Sequence, residues 1–235
     1  RIAKRYPGKE AYLFSYEEDR DSILMKALNS YQGRDLSLNN RRSIESYFTT
    51  GSTEFITTAE REPFIKAKDR FFNELVTPGR VNIQYTNYNS ETLIEAIRYL
   101  HKNANPGAVF IDYIQLLNLP QGKYKTYSRQ EEIKEVCLAL KDLAVETGLP
   151  IILGAQFNRE VINQLRLHPT KIGEAGDIER IANLIVGFWN NNFEPAGTDG
   201  ELKEMTYRGC VKDTIYAKIL KSRDGRVGLE ETLLY

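Results

Sequence analysis

Polar side chains suited to a nucleotide stand directly after three apolar runs of the sequence. Glu17 and Glu18 follow the first run, Asp112 follows four apolar residues, and Gln156 follows a further run. In a parallel α/β sheet, ligands bind beyond the carboxyl ends of the strands. A single acidic residue at a strand end suits a Mg²⁺–nucleotide site, because the carboxylate orients the hydrated cation beside the phosphates.

Each of these residues alone also fits a simpler interpretation. Asp112 fits an aspartate that caps a loop after a strand, and Glu17 fits an acid at a helix start, where the helix dipole favours negative charge. Glu18 and Asp19 fit this second interpretation best. The recurrence of a carboxylate, an aspartate and a glutamine at successive strand ends is what favours a common site.

Alternating apolar runs and helical patterns predict the elements that position these residues. The runs that predict strands are Ala11–Tyr16, Val81–Tyr85, Ala108–Leu117, Ile151–Ala155 and Leu184–Trp189. The run at Ala108 opens with four apolar residues, which is typical of a strand covered on both faces. The repeating order of strand and helix predicts an α/β fold with a mostly parallel sheet flanked by helices.

Helix patterns and their end signals fill the segments between the strands. Ser90 is predicted to cap one helix, and Ser128 with Glu131 forms a capping box at the start of another. A further helix is predicted from about Glu62 to Val76, with Pro63 in its first turn. Apolar residues at helical spacing are expected to face the core: Ile23, Leu24, Ala27, Leu28, Tyr31, Phe64, Ala67, Phe71, Leu75, Leu93, Ile97, Leu100, Ile133, Val136, Cys137, Leu140, Leu143 and Ala144.

Two strand-like runs near the C-terminus predict an antiparallel hairpin. Thr214–Ser222 and Val227–Tyr235 bracket the segment Arg223–Arg226. Asp-Gly between two such runs is a strong hairpin signal. The turn carries two cations, Lys221 and Arg223, which in isolation fit exposed hairpin charges.

Composition sets bounds on the class of protein. Lys plus Arg and Asp plus Glu are both 32, so a nucleic-acid partner must be bound by a local patch rather than by global charge. Cys137 and Cys210 have no second Cys or His at metal-ligand spacing, which favours free thiols in a reducing cytoplasm. No apolar run approaches the ~20 residues that span a bilayer.

Segments around these residues resemble the DnaB family of hexameric replicative DNA helicases. Phe110–Leu117, which reads FIDYIQLL, resembles the family's Walker B segment, typically IDYLQL. Phe14–Glu18 resembles FSLEM, and Gly154–Val161 resembles the strand end SQLNR. The remaining matches are Arg129–Ile133 with the helix after Walker B, Gly173–Glu179 with RESGAIE, and Lys221–Gly225 with KQRNG. The matches keep the family's order from Ala11 to the C-terminus, so the resemblance implies one RecA-like ATPase domain over residues 1–235, with ATP and Mg²⁺ as cofactors.

The resemblance implies a role in ATP binding or hydrolysis for each of these strand-end residues and for the two hairpin cations. Glu17 corresponds to the carboxylate that polarises the attacking water, and Asp112 to the residue that holds Mg²⁺ through water. Gln156 corresponds to a γ-phosphate sensor. Lys221 and Arg223 correspond to cations that reach from one subunit into the nucleotide site of its neighbour, where positive charge stabilises the transition state.

The resemblance also implies a DNA-binding segment after the fourth strand. Ring helicases grip a single-stranded backbone with basic side chains and main-chain amides, without reading sequence. The residues expected to contact DNA are Arg159, Arg166, Lys171, Glu174 and Gly176. The chain departs from the family at Gly173, where a basic residue commonly precedes the glutamate, so Lys171 or Arg166 is the expected substitute. His168 has no metal partner by spacing and is expected at the surface.

The sequence contains no phosphate-binding loop of the form GxxxxGK[ST]. Gly8-Lys9 does not fit, because no glycine stands five residues before Gly8 and a strand follows it. Residues before Pro7 read as a helix end, so we expect the loop and its strand upstream in a longer parent protein, and we expect the chain alone to be inactive.

Three functions remain open from the sequence. The first is an ATP-driven helicase motor: a cytoplasmic homohexamer that encircles single-stranded DNA and works with primase and a helicase loader, with a 5′ to 3′ polarity implied by the resemblance. The second is a RecA-like ATPase homologue that binds DNA or a partner in a regulatory or structural role without unwinding. The third is a strand-exchange recombinase, against which the segments IDYIQLL and KSRDG argue.

Overall fold

The structure, a computed structural model, describes residues 5–32, 46–47, 50–52, 54, 56, 58–120, 128–158, 167–173, 177–190, 214–225, 227 and 230–234. The chain forms two compact units, Arg1–Pro120 with Asp142–Gly154, and Gln121–Lys141 with Ala155–Tyr235. We call them the first and the second unit. Among the described residues, no helix has the length and apolar character needed to cross a membrane.

The first unit contains a parallel four-stranded sheet. Its strands are β1 (Glu10–Ser15), β2 (Val81–Tyr85), β3 (Pro106–Asp112) and β4 (Ile151–Leu153), in the order β2-β1-β3-β4. The predicted strand at Val81–Tyr85 has the predicted bounds, and the other three lie within or beside their apolar runs. Where the sequence suggested a strand to Leu117, β3 ends at Asp112 and a 3₁₀ turn, Ile114–Leu116, follows.

Helices connect these strands. The helices between them are α1 (Arg20–Gln32), α2 (Thr58–Phe71), α3 (Ser90–Asn103) and α4 (Arg129–Thr147), and α4 has residues in both units. A π-helical turn, Phe72–Val76, continues α2. The prediction that Pro63 lies in the first turn was wrong, because α2 begins at Thr58 and places Pro63 inside the helix at an exposed position.

One of the two predicted helix caps is confirmed, and the other prediction was wrong. Ser128 and Glu131 form the predicted capping box, with the Ser128 amide donating to the Glu131 carboxylate at 2.7 Å. The predicted cap Ser90 is instead the first residue of α3, and Asn89 is the N-cap, accepting from the Thr92 amide at 3.0 Å. Ser90 is buried, and its amide donates to the Asn118 carbonyl at 2.9 Å, so the chain enters the helix one residue earlier.

A cluster between α1, α2 and the sheet supplies much of the first unit's core. Phe64 is fully buried and lies edge-on to Tyr47 at a centroid distance of 5.1 Å. The buried members of the cluster are Leu24, Leu28, Ile56, Phe64, Phe71 and Leu75. Removal of this apolar surface from water stabilises α1 and α2 against β2, and so holds the start of α1 near the end of β1.

The second unit contains an antiparallel three-stranded sheet. Strand β5 (Leu184–Asn190) pairs with β6 (Thr214–Ser222), which pairs with β7 (Glu230–Leu234). The predicted C-terminal hairpin is therefore confirmed. Leu167 and Leu220 are the buried residues of a small core cluster here, with Phe157, Ile185 and Trp189 packed against them. A four-residue helix, α5 (Ile178–Ile181), precedes β5.

Candidate functional site

The carboxyl ends of β1 and β3 lie at the point where the sheet's connections reverse direction. From β1 the chain continues to β2 on one side, and from β3 it continues to β4 on the other. Ser15 and Asp112, the last residues of β1 and β3, are register partners across this boundary. Ligands of open α/β sheets bind at such a switch point, beyond the carboxyl ends of the strands. We call this region the switch rim.

Backbone hydrogen bonds tie the end of β1 to both neighbouring strands. The Tyr16 amide donates to the Asp112 carbonyl at 2.8 Å, and the Thr86 amide donates to the Ser15 carbonyl at 2.9 Å. The fully buried Ser15 hydroxyl accepts from the Glu18 amide at 3.0 Å and donates to the Glu18 carbonyl at 2.7 Å. The turn that carries Glu17 is therefore held at the switch rim by main-chain geometry.

The three acids of this turn have different partners. Asp19 caps α1, since its carboxylate accepts from the amides of Asp21 and Ser22 at 2.9 and 3.0 Å. Hydrogen bonds from Ser22 keep the pKa of Asp19 below its usual value. Glu18 forms an ion pair with Lys26, whose Nζ lies 2.6 Å from Oε2. Glu17 is exposed and has no hydrogen-bond or ion-pair partner among the described residues, so its carboxylate is available to a ligand.

Asp112 ends β3 at the switch rim, and as a residue it is exposed. Desolvation of its carboxyl group raises the pKa of Asp112, the negative charge of Glu18 raises it further, and Lys26 lowers it. A carboxylate in this setting gains from a nearby cation, because the cation offsets both the lost hydration and the repulsion from Glu18.

The rim chemistry fits Mg²⁺ bound with a nucleotide rather than a metal held by protein alone. Mg²⁺ prefers oxygen ligands and usually takes one or two carboxylates together with water and substrate phosphates. Asp112 supplies such an oxygen. Over the part of the chain that the structure describes, no three His, Cys, Asp or Glu residues form a group able to cage a metal ion.

Gln156 lies in the second unit, three residues after the end of β4. Its carbonyl accepts from the Gly173 amide at 2.8 Å, the Asn158 amide donates to the Lys171 carbonyl at 2.8 Å, and Phe157 forms an isolated antiparallel bridge with Ile172. The Gln156 side chain is exposed. Its position relative to the phosphates of a nucleotide stays a prediction.

Lys171 is the one predicted DNA contact within the described residues. It ends a 3₁₀ turn, Pro169–Lys171, which the exposed His168 caps by accepting from the Thr170 amide at 3.3 Å. A Cβ at Gly173 would lie 3.3 Å from the Gln156 carbonyl oxygen, so the departure from the family's basic residue coincides with close backbone approach. The other predicted DNA contacts, Arg159, Arg166, Glu174 and Gly176, lie outside the described residues.

Lys221 and Arg223 bond to carbonyl groups of their own chain. The Lys221 ammonium donates to the carbonyls of Glu179 and Arg180, the latter at 3.3 Å, and the Arg223 guanidinium donates to the Arg180 carbonyl at 2.9 Å. These carbonyls lie in α5, where a short helix has no intrahelical donors for them. The turn Arg223–Gly225 is exposed, as a role toward a neighbouring subunit requires.

Sequence reasoning missed the contributions of Ser15, Lys26 and Gly154 to the switch rim. Ser15 lies in the segment resembling FSLEM without being a candidate site residue, and Lys26 has no signal beyond a charge eight residues after Glu18. Gly154 stands directly after β4, and this position is the signal that could have identified it.

A polar switch point on a parallel sheet is typical of α/β proteins that bind a ligand at the carboxyl ends of their strands. Comparisons with known proteins place the chain more closely. The model of the family described as "DnaB-like helicase C terminal domain" matches residues 2–234. The chain therefore belongs to the DnaB-like helicase C-terminal domain family.

Curated relatives and solved structures agree with this family. The chain is 25% identical over 218 residues to the replicative DNA helicase DnaB of Helicobacter pylori (strain 26695), covering 90% of the chain and 41% of that relative. It is 35% identical over 97 residues to a probable plasmid replicative DNA helicase of Chlamydia psittaci, covering 40% of the chain and 20% of that relative. The chain thus spans less than half the length of these relatives.

Two solved structures match over 97% of the chain with a TM-score of 0.73. One is a DnaB-like replicative helicase described with its interactions with primase, 19% identical, of which the match covers 48%. The other is described as an ATPase domain, 21% identical, of which the match covers 71%. At these identities the likeness shows the fold alone, and it confirms the predicted RecA-like fold with a parallel sheet and a C-terminal antiparallel hairpin.

Proposed function

We propose that this chain is the motor part of an ATP-driven replicative DNA helicase, which moves along single-stranded DNA and unwinds duplex. The observation that carries the proposal is the switch rim of a DnaB-like domain. There Glu17, whose carboxylate is unpaired among the described residues, follows β1, and Asp112 ends the adjacent strand β3. The names of the relatives, replicative DNA helicases, support the same activity. No feature of the described residues favours the regulatory alternative.

At the switch rim, Asp112 holds the hydrated Mg²⁺ of the nucleotide and Glu17 accepts the proton of the attacking water. Mg²⁺ supplies charge neutralisation at the phosphates when it is bound. Glu17 suits the base because its carboxylate is exposed and unpaired among the described residues, while Glu18 is neutralised by Lys26. Gln156 senses the γ-phosphate by hydrogen bonding through its exposed amide.

The remaining roles belong to the assembled protein. Lys221 and Arg223 act on the nucleotide of an adjacent subunit in a homohexamer, and Arg159, Arg166, Lys171, Glu174 and Gly176 line the path of single-stranded DNA. A part of the intact protein outside this chain supplies the phosphate-binding loop, and the greater length of the relatives is consistent with this. Primase and a helicase loader are its partners in the cytoplasm; a solved relative is described with primase.

Glu17→Gln in the intact protein tests the proposal. The amide cannot accept the proton, so DNA-stimulated ATP turnover and unwinding of a forked duplex fall by about 10²–10⁴-fold. Nucleotide affinity, measured by fluorescence titration, stays nearly unchanged, because in the proposal the phosphate-binding loop and the Mg²⁺ at Asp112, not Glu17, hold the phosphates.

Glu18→Gln is the matched control, since it changes the adjacent acid in the same way and leaves Glu17 in place, while it removes the ion pair with Lys26 and the repulsion on Asp112. It keeps most of the turnover. Wild-type turnover in Glu17→Gln contradicts the role of Glu17, and turnover without unwinding in the wild-type protein contradicts the helicase.

A further inference from the structure

Gly154 directly follows β4, and its backbone forms hydrogen bonds to residues on both sides of Asp112 in the chain. Its amide donates to the Ile111 carbonyl at 2.8 Å, and its carbonyl accepts from the Ile114 amide at 3.0 Å. All four residues belong to the first unit. The backbone of residue 154 is therefore held against the segment that presents the Asp112 carboxylate.

The backbone conformation does not explain why residue 154 is a glycine. Gly148, at the end of the preceding helix, has a φ of 67°, a left-handed conformation that favours glycine. The φ of Gly154 lies outside the left-handed region, so other residues could adopt its backbone conformation. The reason has to be the space beside it.

The Asp112 carboxylate occupies that space. A Cβ built on Gly154 would lie 2.8 Å from Asp112 Oδ1, closer than side-chain carbons approach such atoms. The next neighbours, Tyr113 Cβ at 3.4 Å and the Ile111 carbonyl oxygen at 3.5 Å, are in ordinary contact. A side chain at position 154 would thus displace one group, and that group is the movable end of the Asp112 side chain.

We propose that Gly154 is a positioning residue for the cation site: the missing side chain lets the Asp112 carboxylate lie against the end of β4, where it holds the hydrated cation. This inference rests on the proposed function, in which Asp112 binds that cation. Gly154 itself touches neither nucleotide nor metal. It determines the position of the Asp112 carboxylate oxygen.

Gly154→Ala in the intact protein tests this role. Electron paramagnetic resonance of Mn²⁺, titrated with a non-hydrolysable ATP analogue, measures cation affinity without turnover. The expected result is a loss of about tenfold or more, as for other residues that orient a metal ligand. The thermal midpoint without metal stays the same or rises slightly, because alanine restricts the unfolded chain more than glycine does.

Gly187→Ala is the control for general disturbance by an added methyl group. Its Cβ would lie 2.9 Å from Leu220 Cδ1, in the second unit, where the small core has to give way. This variant lowers the thermal midpoint and leaves Mn²⁺ affinity unchanged. The two variants therefore separate loss of packing from loss of carboxylate position.

Asp112→Asn distinguishes the two proposals. If Asp112→Asn binds Mn²⁺ as tightly as the wild type, the proposed cation site is wrong. If Asp112→Asn loses Mn²⁺ while Gly154→Ala keeps it, the site stands and the positioning role is overturned. A Gly154→Ala protein that fails to fold also overturns the positioning role, because the backbone and not the carboxylate then yields.

Discussion

Glu17 and Glu18 are neighbours in the chain with different electrostatic surroundings. The two hydrogen bonds between Ser15 and Glu18 close a tight turn after β1, from which Glu18 reaches Lys26 and Glu17 remains exposed. An exposed, unpaired carboxylate loses no ion pair when it accepts a proton. The turn thus separates an acid suited to chemistry from one that stabilises the start of α1.

Cys137 in α4 is predicted to be an unreactive thiol in the folded protein. It is 4% exposed, and burial raises its pKa to about 12. At pH 8 its thiolate fraction is then lower than that of a free thiol by roughly three orders of magnitude. Iodoacetamide followed by peptide mass spectrometry should modify Cys137 only after unfolding in denaturant.

The raised pKa of Cys137 also makes the stability of the folded protein depend on pH. The folded state keeps the proton that the unfolded thiol releases above about pH 8.5, so stability falls as the pH rises from there toward 12. Below about pH 8.5 the thiol contributes no pH dependence. Rapid alkylation of Cys137 in the native protein at pH 8 would contradict its burial.

At the scale of elements, the N-terminus of α3 depends on Asn89. Its side chain accepts from the Thr92 amide at 3.0 Å, and one otherwise unpaired amide of the first turn is satisfied. Asn89→Ala removes this acceptor and is expected to lower the free energy of unfolding by about 1 kcal/mol. Denaturant titration followed by circular dichroism measures the change.

Two substitutions check the assignment of this cap. Asn89→Ser retains a capping oxygen and should stay within a few tenths of a kcal/mol of the wild type. Ser90→Ala distinguishes the alternative that the sequence favoured: if it abolished the cap while Asn89→Ala did not, the N-cap would be Ser90 after all.

The strands were largely predictable from the sequence, while the caps were less so. Val81–Tyr85 alternates apolar and polar residues directly after a Pro-Gly turn, and Ile151–Leu153 is an apolar run between Pro150 and Gly154, so few other conformations are open. Asn89 and Ser90 are both good capping residues, and the choice between them depends on a distant bond from Ser90 to the Asn118 carbonyl. Local sequence contains no signal for that bond.

The residues of the candidate site also differ in whether the sequence predicts their positions. Glu17 and Asp112 were predictable because each follows an apolar run, and parallel strands bring their carboxyl ends to one edge. Gly154 and Lys26 were not, since their relation to Asp112 and Glu18 depends on the pairing of β3 with β4 and on the direction of α1. The separation of these residues in the chain follows no strand or helix periodicity, so the sequence pattern does not predict their contacts.

At the scale of the whole molecule, mixed rings test whether Arg223 acts on a neighbouring subunit. Glu17→Gln and Arg223→Ala proteins are each expected to be inactive. In rings assembled from equal amounts of both, about one quarter of the interfaces combine an intact Glu17 with an intact Arg223. ATP turnover should therefore recover on mixing, up to about that fraction if the sites act independently.

Separately assembled rings, combined without subunit exchange, are the control and should stay inactive. If the mixed rings also stay inactive although subunits exchange, Arg223 acts within its own subunit. The bonds from Arg223 and Lys221 to α5 would then be their whole role.

Those bonds have a consequence for any cation that leaves them. The carbonyls of Glu179 and Arg180 have no donors within their short helix, so water has to replace the ammonium or guanidinium group that departs. The carbonyls of α5 would then bind water when the hairpin serves another subunit, and the two cations when it serves its own. In a closed ring, the hydration of this one helical turn would therefore change with the nucleotide that the neighbouring subunit holds.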